Sequence, residues 1–134
     1  TTLRTREGDP SNLATYHSYL KFDVTGLSAS VVSAKLRLYA TDANTAGILV
    51  HSADSGWVET TINWNSRPLL GSQVGSAGAI AANTWVEISL PPSLFTTNQS
   101  YTLVVVGRNT QSEYFSSREG LASQRPQLVL SVGP

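Results

Sequence analysis

The chain has no cysteine and no methionine. Without a thiol, cysteine nucleophiles, thiolate metal sites and redox switching are excluded. Charge is also scarce. Only 13% of residues are Asp, Glu, Lys or Arg, and nine cations balance nine anions. A general nucleic-acid binder carries excess positive charge, so no nucleic-acid partner is expected. No apolar run approaches the roughly 20 residues of a membrane-spanning helix, and no membrane insertion is expected. The G-x-S-x-G elbow is missing, since Gly71-Ser72-Gln73-Val74-Gly75 has the wrong order. The two histidines, His17 and His51, show neither H-E-x-x-H nor H-x-H spacing, so a transition-metal site is not expected. Glu59, Glu87, Glu113 and Glu119 could serve glycoside hydrolysis only if two met across a cleft, and no spacing pairs them. No catalytic constellation is assembled, and the expectation is a protein that is not an enzyme.

What is abundant is Ser, Thr, Asn and Gly, a composition common in secreted polar β domains. The 134 residues suit a single domain, 1–134, that needs no disulfide to hold it. The start at Thr1 without Met suggests a module excised from a larger secreted protein, at the cell surface or outside it.

Helix signals are weak, whereas short strand signals recur at regular intervals. Candidate strands are 2–6, 18–24, 34–41, 46–51, 84–90, 100–107, 113–117 and 126–132, separated by turn residues such as Gly8-Asp9-Pro10, Thr25-Gly26 and Pro91-Pro92. About eight strands so connected predict an all-β, two-sheet antiparallel sandwich of jelly-roll type. The stretch 52–83 reads as one long irregular segment. In it Trp57 and Trp64 are expected to plug the core, with Arg67 paired to Glu59 or Glu119. Asp42, Asn44 and Asp54 lie in or near turns and could hold a structural Ca²⁺. Asn98-Gln99-Ser100 matches a glycosylation sequon.

The stretch "SAKLRLYA" (33–40) alternates Ala34, Leu36, Leu38 and Ala40 with Lys35, Arg37 and Tyr39. Period-two alternation sends the first set into a core and the second out of it. By the same parity Arg4 and Arg6 oppose Leu3, and Tyr19, Lys21 and Asp23 oppose Leu20, Phe22 and Val24. Were these strands neighbours, Arg4, Arg6, Lys21, Lys35 and Arg37 would form a basic stripe suited to an extended polyanion. Trp85 and Glu87 would also face outward, because Val86, Ile88 and Leu90 fit the core.

Together, "SYLKFDVTGLSASVVSAKLRLYATD" (18–42), "GWVETTINWNSRP" (56–68), "NTWVEISL" (83–90) and "YFSSREGLASQRPQLVL" (114–130) resemble the DNRLRE domain. This is a secreted β-sandwich module of microbial surface proteins and polysaccharide-degrading enzymes. Some members are classed as carbohydrate-binding module family ninety-six, with alginate as a ligand. The resemblance implies a noncatalytic module that binds an acidic polysaccharide on a basic sheet face. The residues that alternation offers for such a face are Arg4, Arg6, Lys21, Lys35, Arg37, Tyr39 and Trp85. The resemblance also implies a structural role for Arg118 and Glu119. Family members begin with an extra strand that is lacking before Thr1. The alternative expectation is therefore a structural or adhesive subunit of an extracellular array or fibre, in which neighbouring domains or subunits donate that strand.

Overall fold

A computed structural model of the protein describes residues 2–6, 17–57, 70–108, 113–117, 120 and 122–133. Among the described residues nine strands are formed: β1 (Thr2–Thr5), β2 (His17–Asp23), β3 (Val31–Ala40), β4 (Ile48–Ala53), β5 (Leu70–Ala77), β6 (Thr84–Leu90), β7 (Ser100–Gly107), β8 (Glu113–Ser116) and β9 (Gln127–Val132). The first sheet runs β1-β8-β3-β6, with β9 continuing the β8 edge of β3, and the second runs β2-β7-β4-β5. All the pairings are antiparallel. Apart from β4–β5 and β8–β9, successive strands alternate between the two sheets, as in a jelly roll.

Alternation explains why these segments pair. Ala34, Leu36, Leu38 and Ala40 of β3 are buried, as are Val86, Ile88 and Leu90 opposite them on β6. Ile48, Val50, Leu103 and Val105 close the core from the second sheet, and Phe95 and Phe115 fill it among the described residues. Burying such a side chain stabilises by about 1.5–3 kcal/mol relative to leaving it exposed. A one-residue slip would turn every one of them outward.

The sequence reading is corrected at 52–83, where β5 forms. "LGSQVGSA" has little β propensity, yet it pairs with β4 as an edge strand, with register shifts along its length. Gly75 explains the composition: a Cβ there would sit 2.7 Å from Ile88 Cγ2. Only glycine lets β5 approach the first sheet this closely. β4 also begins two residues later than the expected 46. Gly47 adopts φ 86°, and a Cβ on it would stand 2.0 Å from the Ala77 carbonyl oxygen. Gly47 is therefore a turn residue, and the strand starts after it.

Candidate functional site

The expected basic stripe is divided by the topology. Arg4 lies on β1 and Lys35 and Arg37 on β3, all in the first sheet, whereas Lys21 lies on β2 in the second. Leu20 and Leu36 both point into the core, so Lys21 faces away from Lys35 and Arg37 on the opposite side of the sandwich. Arg6 follows β1 and is half-buried. Five cations do not make one stripe.

Lys21 belongs to a different group. Its Nζ lies 4.7 Å from the Trp57 ring centroid and donates to the Trp57 carbonyl oxygen. Tyr19 meets the same ring edge-on at 6.1 Å. Trp57 is thus on the outer face of the second sheet, not in the inter-sheet core, with Nε1 donating to Thr102 Oγ1 at 2.9 Å. Trp64, Glu59, Arg67, Arg118 and Glu119 lie outside the described residues.

On the outer face of the first sheet, the remaining expected residues come together. Register sets Arg37 opposite Glu87 and Tyr39 opposite Trp85 across β3 and β6. Arg37 Nε donates to Glu87 Oε2 at 2.9 Å, and Nη1 donates to Gln127 Oε1 of β9 at 2.7 Å. The guanidinium is thereby held over Trp85, 4.3 Å from the ring centroid. Tyr39 abuts Trp85 edge-on, with centroids 5.5 Å apart and planes at 81°. Lys35 Nζ donates to the other Glu87 oxygen at 3.2 Å. The hydrogen bond from Lys35 foremost, with help from Arg37, holds the Glu87 carboxyl below its ordinary range. Glu87 stays ionised, and the two cations and one anion leave a single net positive charge.

This geometry fixes what the patch can do. A guanidinium has five donors, and Nη2 is left for a ligand oxygen beyond the bonds to Glu87 and Gln127. Its position over Trp85 contributes about 0.5–1 kcal/mol, and a guanidinium donor suits a carboxylate oxygen. Lys35 is 41% exposed and adds a second, more mobile donor. Tyr39 and Trp85 are half-buried and offer ring edges and faces to a sugar. On β1 and β8, Arg4 lies 5.3 Å from the Tyr114 ring centroid. Sequence reasoning missed Tyr114, Glu87 as a partner, and Gln127. The parity of Phe115 would have put Tyr114 outside, but cross-strand partners emerge only with register.

Among the described residues, the Asx side chains expected at turns have hydrogen-bond partners. Asn44 Oδ1 accepts the Ala46 and Gly47 N–H groups at 2.8 and 2.9 Å, and Asp54 Oδ1 accepts that of Gly56 at 3.3 Å. Both serve their own turns. Asp42 accepts the Tyr114 N–H at 3.0 Å. No group of three or more His, Cys, Asp or Glu that could hold a metal occurs among the described residues. Asn98 of the sequon accepts the Leu27 N–H at 3.0 Å. Glu113 is fully buried, far from any paired role with Glu87. A cleft of about 290 Å³ opens beside Ser52, Asp54, Gln99 and Thr102, and none of the expected carbohydrate-binding residues lines it.

No curated protein matches the chain. The family model described as carbohydrate-binding module family 96 matches residues 3–132, the span that carries both sheets and the Arg37–Trp85 face, and the chain belongs to that family.

Proposed function

We propose that this carbohydrate-binding module recognises an acidic polysaccharide, a uronate polymer of which alginate is the best-fitting example, on the outer face of its first sheet. The observation that carries the reading is the Arg37 guanidinium, fixed over Trp85 by Glu87 and Gln127 with about a quarter of the side chain exposed. Arg37 would pair with a uronate carboxylate, Lys35 would add a second charged hydrogen bond, and Tyr39 and Trp85 would pack against the ring. The module performs no reaction in this reading. It acts outside the cell, holding whatever it is joined to against its polymer, and avidity supplies what one flat site lacks.

Affinity electrophoresis tests this simply. The wild-type protein should be retarded in gels that contain alginate, and Lys35→Ala with Arg37→Ala should migrate freely in the same gels. Equal retardation of both proteins would remove the first sheet from the binding surface. Free migration of both, with regular polymers seen by electron microscopy, would favour the alternative of a structural subunit.

A further inference from the structure

We propose that the polysaccharide crosses the strands of the first sheet and is gripped at two guanidinium–aromatic subsites, Arg37 over Trp85 at the β6 edge and Arg4 over Tyr114 at the β1 edge. The inference rests on the reading of this face as a uronate-binding surface, and it adds a direction, a length and one residue, Tyr114.

The topology places the two subsites on one face. Leu3 packs against the core from β1 and Phe115 from β8, and Arg4 and Tyr114, their chain neighbours, stand directly opposite each other on the outward side. β8 joins β3 where Ala40 pairs with Phe115. The Thr41 N–H donates to the Tyr114 carbonyl oxygen at 3.0 Å, which sets Tyr114 level with Thr41, two residues beyond Tyr39. The outward order across the sheet is therefore Arg4, Tyr114, Tyr39 and Trp85, with the Arg37 guanidinium above the last. Neighbouring strands are about 4.8 Å apart, and two residues along a strand span about 7 Å, so the subsites are about 15 Å apart on a diagonal.

The two subsites share their chemistry. Each sets a guanidinium over an aromatic ring, at 5.3 Å for Arg4 and 4.3 Å for Arg37. A guanidinium suits a carboxylate, and the ring beneath it holds the guanidinium in place. A uronate polymer repeats one carboxylate per unit, so one extended chain can meet both guanidinium groups. A short fragment reaches one of them. Once the first subsite is filled, the second binds as an intramolecular step at high effective concentration. Length of ligand then becomes a determinant of affinity, which a single subsite cannot produce.

Calorimetric titration with a uronate disaccharide and hexasaccharide at low salt tests the inference. For the wild-type protein the hexasaccharide should bind about tenfold or more tighter than the disaccharide, as two linked subsites require. Arg4→Ala and Tyr114→Ala should abolish most of that advantage and leave disaccharide binding at Arg37 in place. Arg4→Lys, which keeps the charge on β1, should recover part of it and guards against a folding defect. A full length advantage in Arg4→Ala, with binding still lost in Arg37→Ala, would overturn the second subsite and leave the binding face standing. No wild-type binding of either oligomer would overturn both.

Discussion

Arg37 and Glu87 face each other across β3 and β6, with Nε 2.9 Å from Oε2. Glu87 orients the guanidinium over Trp85, and it also competes with any incoming carboxylate for the same cation. The two effects act in opposite directions on affinity. Solvent screens an exposed ion pair and anchors it only weakly, so the competition outweighs the anchoring for an anionic ligand.

Glu87→Gln should therefore tighten binding to a uronate polymer at low salt. Removing an exposed anion beside the binding cation lifts a water-screened competition, and the expected gain is severalfold. Titration calorimetry checks this. Weaker binding in Glu87→Gln would mean that positioning of Arg37 dominates.

Lys35→Ala combined with Arg37→Ala should weaken polymer binding by about tenfold or more, each charged hydrogen bond being worth about 1.5–3 kcal/mol. The melting temperature should barely move, because both side chains lie on the outer face. Lys21→Ala is the matched control. Its charge stands on the second sheet over Trp57, and its loss should leave affinity for the polymer unchanged. A drop as large as that of the double variant would place ligand on both sheets.

Stability should fall with rising pH because of Glu113. Its side chain is fully buried in the strand register opposite Thr5. Burial, and then the neighbouring Asp42, push its carboxyl up from an ordinary 4.5 to about 8. The folded state thus holds a proton that the unfolded state releases. The stabilisation is complete below pH 4.5, declines through the interval up to about 8, and is gone above it. Thermal melts across that window should show a falling midpoint in the wild-type protein and a flatter profile in Glu113→Gln. Identical slopes would remove Glu113 as the cause.

Gly75→Ala tests the packing of β5. The added Cβ meets Ile88 Cγ2 at 2.7 Å, and overpacking of this kind costs about 1–3 kcal/mol. A melt unchanged from wild type would show that β5 can shift away from the first sheet without cost.

The sandwich was legible wherever alternation is strong. Leu36 and Leu38 between Lys35, Arg37 and Tyr39 define both a strand and its two faces, and Val86, Ile88 and Leu90 do the same for Trp85 and Glu87. β5 was not legible, because Gly75 is selected for close approach to Ile88 and carries no strand signal. Lys21 shows a different limit. Parity tells which side of a strand faces out, but the sheet that holds the strand is decided by tertiary pairing, so the five-cation stripe was drawn across two sheets. The bonds of Arg37 to Glu87 and Gln127 span 50 and 90 residues. Such partners depend on register between distant strands, which no local pattern encodes.

Titration of the wild-type protein with alginate and with a neutral glucan, each at low and high salt, tests the central claim most directly. Exposed charges are screened beyond about 8 Å at physiological ionic strength, so a site built on Arg37 and Lys35 must weaken as salt rises. The account predicts binding to alginate that declines steadily with salt, and poor binding to the glucan under both conditions. Tight, salt-insensitive binding to the neutral polymer would contradict it and assign recognition to the aromatic rings alone.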